Sequence, residues 1–201
     1  MRLLQYIRVN SEGIWLNGRF SALPIGDWAE ALYRQGGIQY PKFFKMDHLC
    51  RIGWMASELL LAGENDRFEP RTDRAVILFN RSGSLCNDTQ YQTTIQDPDN
   101  YFPSPALFVY TLPNIVTGEI AIRNGYRGET SCYLLPDFDA GILVETSRQA
   151  LQDPGTRSLL TGWVECAPGQ SDDLLLCLVD AETEENWNEK NLLQLYRYGH
   201  L

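Results

Sequence analysis

The chain has 201 residues and a formal net charge of −9, with 17 Lys and Arg against 26 Asp and Glu. Its 44% hydrophobic and 21% charged residues are typical of a folded globular domain and exclude a disordered, collagenous or coiled-coil chain. Because the negative charge repels nucleic acid and anionic lipid, and no apolar run reaches the ~18 residues that span a bilayer, we expect neither a nucleic-acid nor a membrane partner.

The N-terminal segment predicts a β-hairpin. Residues 1–6 lack the apolar core and cleavage site of a signal peptide, which favours a cytoplasmic protein. Apolar and polar residues alternate over 4–9, turn-forming residues occupy 10–13, and a second short apolar run covers 14–16. This pattern predicts two short antiparallel strands.

Two helices and a buried strand are predicted next. Asp27 can cap a short helix that continues through Arg34, and a longer helix is expected over 45–62, where apolar residues recur at helical spacing. The uninterrupted apolar run Ala75–Phe79 is typical of a central strand that is covered on both faces. Such a strand favours a parallel sheet.

The middle of the chain predicts a polar helix, a loop and an apolar helix. The polar helix is expected over 85–95, and a Pro-rich loop follows it. The apolar helix is expected to begin with Thr111 as its N-cap and to end at Gly125. Gly118 in its middle predicts the close approach of another backbone.

The last third of the chain continues the alternation of strands and helices. The expected elements are a buried strand, a helix, two antiparallel strands and a final helix, over 130–135, 139–151, 158–166, 174–179 and 184–198. Residues 1–201 are therefore expected to form one α/β domain, with a mixed, mostly parallel sheet and helices on both faces.

Cysteine and histidine usage argues against a metal or disulfide framework. The cysteines are widely spaced and never form a C-x-x-C pair, which favours reduced core thiols; they are Cys50, Cys86, Cys132, Cys166 and Cys177. A triad or metal site would depend on His48, and a single helical histidine is more often structural. The sequence has no phosphate-binding Gly-rich loop and no H-E-x-x-H motif, so we expect no metal and no cofactor.

Two sets of side chains could take part in acid–base or nucleophilic chemistry. Asp137 and Asp139 form a carboxylate pair at a helix start, where capping is the commoner role. Cys132 could be a nucleophile, but its apolar strand favours core packing, since burial raises a thiol pKa. The acidic run at 182, 184 and 185 is typical of a solvated helix start.

The segment Tyr110–Gly128 resembles a known family. It is similar, without a gap, to the T-L-P-N-x-x-x-G-x-[IV]-A-I-x-x-G-x-x-G stretch of β-ketoacyl-[acyl carrier protein] synthases, condensing enzymes of thiolase-like fold. Lys45–Arg51 looks like the family's R-M-D-R-x-x-R helix opening, and Ala75–Ser84 looks like its next strand and turn. The resemblance covers 45–151, about half of the chain, and implies the N-terminal half of that fold.

Departures from the family pattern imply a chain without condensing activity. Counting from Gly128 without a gap puts Asp137 at the position of the family's nucleophilic Cys, and a carboxylate cannot form that thioester. Aligning Cys132 there would delete about five residues, ~16 Å of strand. The family's two catalytic histidines belong to a C-terminal half that this sequence does not include.

The resemblance therefore implies a non-catalytic ketosynthase-like partner or regulatory subunit in fatty acid or polyketide biosynthesis. One alternative is an acyltransferase or condensing enzyme that another chain completes, with Cys132 or Asp137 catalytic. The other is a module that binds acyl carrier protein.

Two surfaces are candidates for partners. Carrier proteins are typically acidic, and a basic stretch with two adjacent phenylalanines, Phe43 and Phe44, could bind one; its cations are Lys42, Lys45 and Arg51. The alternative is that these cations lie at an ordinary solvent-exposed helix start and bind no partner.

The strand that leads to the family nucleophile pairs across the family's dimer. In this chain it corresponds to a run without the charge or Pro that guards an open edge: Thr130, Ser131, Cys132, Tyr133, Leu134 and Leu135. We expect a dimer with itself or with a full-length ketosynthase; an internal neighbouring strand is the alternative.

Overall fold

Seven strands form one mixed sheet in the computed structural model, which describes residues 1–182 and 186–201. The strands are β1 (Arg2–Asn10), β2 (Gly13–Leu16), β3 (Arg19–Ser21), β4 (Arg74–Asn80), β5 (Thr130–Leu134), β6 (Ser158–Glu165) and β7 (Asp173–Asp180). Their order across the sheet is β3-β2-β1-β7-β6-β4-β5. The predicted hairpin is confirmed as β1 and β2, and β3 extends it.

Helices flank the sheet on both faces. They are α1 (Trp28–Gln35), α2 (His48–Leu60), α3 (Leu85–Thr93), α4 (Pro105–Val109), α5 (Ile115–Asn124), α6 (Ala140–Ala150) and α7 (Glu189–Tyr198). Short polar side chains cap five of them by accepting hydrogen bonds from first-turn amides: Asp27, Asp47, Ser104, Asp139 and Asn188. None of the helices in the described ranges is both long and apolar enough to cross a bilayer.

The α/β class with helices on both faces is confirmed, and parallel pairing is confined to one part of the sheet. β4 is parallel to β5 and to β6. The other pairings are antiparallel. Short turns impose this direction on β1–β2, β2–β3 and β6–β7, whereas β1 and β7 come from opposite ends of the chain. The expectation of a mostly parallel sheet therefore holds only around β4.

Two hydrophobic layers enclose the sheet. One layer packs α1, α2 and α5 against β4 and its neighbours, with Trp54 and Phe43 fully buried. The other packs α6 and α7 around Phe79 and Trp163. Every residue of β4 is buried, which confirms the predicted central strand.

The second strand that was expected to be buried, β5, is instead an edge strand. β4 has β6 on its other side, and no described strand follows β5. Thr130, Tyr133 and Leu134 are therefore exposed, while Ser131 and Cys132 are half-buried.

The helix expected from Thr111 begins four residues later. The Thr111 hydroxyl donates to the carbonyl of Phe108 at the end of α4, a helix that the Pro-rich sequence did not predict. Asn114 is the N-cap of α5, and Gly125, with φ of 70°, ends it as expected.

The close helix approach expected at Gly118 occurs at Gly53 instead. A Cβ built on Gly118 would meet no atom within 4 Å, whereas one on Gly53 would lie 2.6 Å from Cγ2 of Val116. α2 and α5 thus pack tightly at Gly53.

Two helices begin later than expected. α2 begins at His48 because Asp47 caps it, and a 3₁₀ turn occupies Pro41–Lys45. α7 begins at Glu189, and the acidic pair expected to open this helix, Glu184 and Glu185, lies outside the described residues.

Candidate functional site

The carboxyl ends of β4, β5 and β6 meet at one edge of the sheet, here called the carboxyl edge. The loops that follow these strands cover 81–84, 135–139 and 166–172. In open α/β sheets, ligands bind at this edge because the loops and helix N-termini converge there. The expected nucleophile position falls in the second loop.

The two aspartates predicted at this loop have different roles. Asp139 caps α6, since its Oδ1 accepts a hydrogen bond of 2.9 Å from the amide of Ile142. The Asp137 side chain is 85% exposed and lies 3.8 Å from Nη1 of Arg81. Asp137 is therefore a solvent-facing carboxylate at the carboxyl edge, with one cation beside it.

A buried carboxylate organises the loop after β4. Oε2 of Glu165 accepts hydrogen bonds from the amides of Arg81 (2.6 Å) and Ser82 (3.1 Å). Nη2 of Arg81 also donates to Oε1 of Gln170 at 3.2 Å. Sequence reasoning missed these residues, although an acid that ends an otherwise apolar strand is a signal for Glu165.

Cys132 has the environment of an unreactive thiol. It lies in the middle of β5 and not at a helix start. Burial raises its pKa to about 11, so the thiolate population at neutral pH is very small. All five cysteines are free thiols, as predicted.

His48 is held between two carboxylates. Its Nε2 donates to Oδ1 of Asp172 at 2.7 Å, and its Nδ1 lies 3.9 Å from Oδ2 of Asp27. Arg51 also pairs with Asp27, and Trp28 donates to Asp172. Because its ring nitrogens face Asp172 and Asp27, the imidazole links the start of α1, α2 and the β6–β7 turn.

The hydrogen bond to Asp172 raises the pKa of His48 above its usual value. Over residues 1–182 and 186–201, no group of three or more His, Cys, Asp or Glu side chains is arranged to hold a metal ion.

The predicted basic stretch is largely neutralised by neighbouring acids. Nζ of Lys42 lies 2.8 Å from Oε1 of the buried Glu119, and Arg51 pairs with Asp27. Lys45 is exposed and has no ion pair in the part of the chain that the structure describes.

The two phenylalanines of this stretch also differ. Phe43 is fully buried and stacks on Tyr33, with ring centroids 4.4 Å apart, whereas Phe44 is 48% exposed. A docking partner would therefore meet Lys45 and Phe44 first.

The outer edge of β5 has three residues whose backbone groups face away from the sheet. The amide of Val76 donates to the carbonyl of Glu129 (2.8 Å), and the amide of Leu135 donates to the carbonyl of Asn80 (2.9 Å). Because strand groups alternate in direction, odd-numbered residues of β5 face β4. The residues that face outward are Thr130, Cys132 and Leu134.

Exposed apolar side chains surround this edge. Leu134 is 56% exposed and Tyr133 is 44% exposed, although Tyr133 stacks on Phe79. Ile142 on the neighbouring α6 is also exposed. An unguarded strand with apolar side chains on both faces is typical of an interface.

Compared by sequence, the chain matches no family model and no curated protein. Compared by structure, it is similar to the ishigamide ketosynthase/chain length factor, with a TM-score of 0.62 and 17% identity over 91% of this chain and 63% of that one. It is also similar to a ketosynthase in complex with its chain length factor from Xenorhabdus doucetiae, with a TM-score of 0.58 and 14% identity, covering 90% of this chain and 79% of that one. A β-ketoacyl synthase from Burkholderia phymatum gives a TM-score of 0.57 and 10% identity, over 92% and 59%.

This chain thus spans less than two thirds of the first of these structures. The identities are low, so the likeness concerns the fold. The chain has the thiolase-like fold of the ketosynthase structures, in agreement with the resemblance carried by Tyr110–Gly128.

Proposed function

We propose that this chain is a non-catalytic ketosynthase-like subunit of fatty acid or polyketide biosynthesis, which assembles through β5 with a second copy or with a full-length ketosynthase. The observation that carries the proposal is the open edge of β5, which leads directly to a carboxylate, Asp137, where the resembling family has a thiol.

The chemistry of the carboxyl edge supports a non-catalytic role. Asp137 cannot form the family's thioester, and Cys132 is a half-buried thiol with a pKa of about 11. His48 forms its hydrogen bond with Asp172, and within residues 1–182 and 186–201 no hydrogen bond joins it to Cys132 or Asp137. The described residues therefore show no nucleophile paired with a base, which disfavours the alternative of Cys132 or Asp137 as a catalytic residue.

The structural neighbours support a partner of the same fold. One of them is described as a ketosynthase in complex with its chain length factor, which is a pairing of two proteins. If this chain acts in the same way, its mate is a ketosynthase. Docking of acyl carrier protein at Lys42, Lys45 and Arg51 stays a prediction, since two of these three charges already pair with acids.

The hydrogen-bonding groups of β5 favour one register for self-pairing. The outward residues of β5 are Thr130, Cys132 and Leu134. An antiparallel copy centred on Cys132 places Cys132 opposite Cys132 and Thr130 opposite Leu134. That register pairs every outward amide and carbonyl of both strands, whereas a shift in either direction leaves some without a partner.

Light scattering across a concentration series tests this assembly. We expect the wild-type chain to form a dimer, and we expect Cys132→Lys to shift it to a monomer because the change places a charge at the centre of the paired strands. Gln92→Lys adds the same charge on the exposed face of α3 and should leave the dimer intact.

A wild-type chain that stays monomeric at high concentration and also fails to bind a co-expressed ketosynthase would contradict the proposal. A dimer that forms equally well with Cys132→Lys would place the interface elsewhere.

A further inference from the structure

A second surface lies far from the carboxyl edge. A groove of about 810 Å³ runs between α1, the last turns of α2 and the loop 64–69. Its apolar lining consists of Leu32, Ile38, Met55, Leu59, Ala62 and Phe68. His48, at the other end of α2, lies about 10 Å from Met55 at ~1.5 Å per helical residue. None of the lining residues belongs to β5 or to the loops of the carboxyl edge.

One wall of the groove is an exposed aromatic ring that buried charges hold in place. Phe68 is 55% exposed, yet the guanidinium carbons of Arg123 and Arg67 lie 4.6 and 5.0 Å from its ring centroid. Arg67 is itself fixed by an ion pair with Glu58 and by a 2.7 Å hydrogen bond to Asn124. An apolar wall that is already ordered loses little conformational entropy when a partner covers it.

The rim of the groove is negatively charged. Asp66 and Glu69 are exposed, and neither forms an ion pair within residues 1–182 and 186–201. The one cation in the lining, Arg67, pairs with Glu58, a carboxylate that it shares with Arg123. The carboxylate of Glu64 is matched by Arg74 from outside the groove. The mouth of the groove therefore attracts cations and repels anions.

The dimensions of the groove suit a short helix. One wall is formed by Met55, Glu58 and Leu59 of α2 and by Ala62 two residues beyond the helix end, a span of ~10 Å at the rise of a helix. A helix that lies in such a groove inserts apolar residues spaced at i, i+4 and i+7. Lysines or arginines beside those residues would reach Asp66 and Glu69.

We propose that this groove binds a cationic amphipathic helix of a partner protein. The groove shares no lining residue with β5, so binding here does not require the mate at β5. The inference therefore goes beyond the proposed function and does not depend on it.

Fluorescence anisotropy with a dye-labelled, 14-residue amphipathic peptide of Leu and Lys tests the proposal. We expect saturable binding at one site per chain and no binding of the peptide with Glu in place of Lys. The double variant Asp66→Lys/Glu69→Lys should weaken binding about tenfold, since two exposed ion pairs together supply about 1.4 kcal/mol. The matched control Glu12→Lys/Asp99→Lys changes the charge equally at exposed sites elsewhere and should change the affinity less than twofold.

A second variant tests the apolar contact. Leu59→Glu should abolish binding, with circular dichroism used to verify that the variant is folded. Equal binding of the Lys and Glu peptides would overturn the proposal. Equal losses of peptide affinity in the rim variant and in its control would also overturn it. The same conclusion would follow if a neutral dye such as Nile red filled the groove and the peptide did not displace it. Repeating the titration with Cys132→Lys separates this result from the fate of the β5 dimer, because peptide binding should be unchanged.

Discussion

Asp137 brings a full charge to the end of β5, and its side chain is almost entirely in solvent. Because water solvates this carboxylate, its charge costs the folded chain little free energy, and the guanidinium of Arg81 partly balances that charge. Residue 137 lies two residues before the N-cap of α6. A thiolate at this position would be stabilised, because a helix N-terminus favours negative charge. We therefore propose that the residue type at 137 governs whether this loop can be acylated.

We predict that Asp137→Cys can be acylated and does not turn over. The new thiol would be exposed, so a radiolabelled acyl thioester should label it, and the wild-type chain should stay unlabelled. Within the described residues no histidine forms a hydrogen bond or ion pair with Asp137, so malonyl-thioester decarboxylation should stay at background. The added variant Cys132→Ser checks that the label is on residue 137.

Turnover by Asp137→Cys would show that the missing acid–base groups come from elsewhere. Labelling of the wild-type chain that disappears in Cys132→Ser would contradict the non-catalytic role itself.

The surroundings of His48 predict that its contribution to the stability of the fold decreases as the pH rises. Its folded pKa is raised by the hydrogen bond to Asp172, so its protonated form is favoured in the folded chain. The stabilisation that His48 gives to the fold is therefore fully present below the unfolded pKa of about 6.5, and it is lost as the pH rises through the folded pKa. Asp172, Asp27 and Arg51 are the charged groups that face the ring, and the two acids outweigh the one base.

The variant His48→Gln should therefore lower the free energy of unfolding by about 1 kcal/mol at pH 6 and by less at pH 8.5. Urea unfolding at the two pH values measures this difference. A loss that is equal at both values would mean that His48 acts by packing alone.

Among the secondary-structure elements, the crossing of α2 and α5 depends on one glycine. We predict that Gly53→Ala destabilises the fold by about 1–3 kcal/mol, because the new Cβ would lie 2.6 Å from the buried Val116. The matched change Gly118→Ala should be neutral or should stabilise by up to about 1 kcal/mol, since no atom lies within 4 Å of its Cβ. Thermal or urea unfolding compares the two.

The double variant Gly53→Ala/Val116→Ala tests the cause. It should recover part of the stability lost in Gly53→Ala, since Val116→Ala removes the methyl groups in the clash. Equal destabilisation by Gly53→Ala and Gly118→Ala would contradict a close crossing at Gly53.

Local signals predicted most elements of the fold. The hairpin, the central strand β4, the last two strands and the Asp27 and Asp139 caps follow from periodicity and capping residues alone. The exposure of β5 could not be predicted from its apolar sequence, because it depends on which strand occupies the other side of β4. Thr111 was wrongly predicted as an N-cap, because its hydroxyl hydrogen-bonds to α4, a short helix that the Pro-rich sequence did not predict.

The candidate site was less predictable than the fold. The sequence pointed to Asp137 at the carboxyl edge and to an inert Cys132, and the structure gives both residues environments of that kind. It could not show that Glu165 anchors the loop after β4 or that Glu119 neutralises Lys42. Those contacts join residues that are distant in sequence, and neither partner stands out by its local pattern.

On the scale of the whole molecule, the sheet separates two surfaces with different properties. The carboxyl edge and β5 present apolar strand groups near a single exposed carboxylate. The groove at the far end of α2 presents an apolar trough with an acidic rim. Because the two surfaces share no residue, we expect a partner at one to leave the other accessible.

The two ends of the sheet are unequal, and this limits how many copies can associate. β3, at the end opposite β5, has three exposed residues and begins with Arg19, so it is short and charged. Two-fold pairing consumes the β5 edge of both copies and leaves only β3 at either end of the doubled sheet. If two copies pair through β5 as proposed, we expect growth to stop at the dimer, because a three-residue charged strand is a poor template for further pairing.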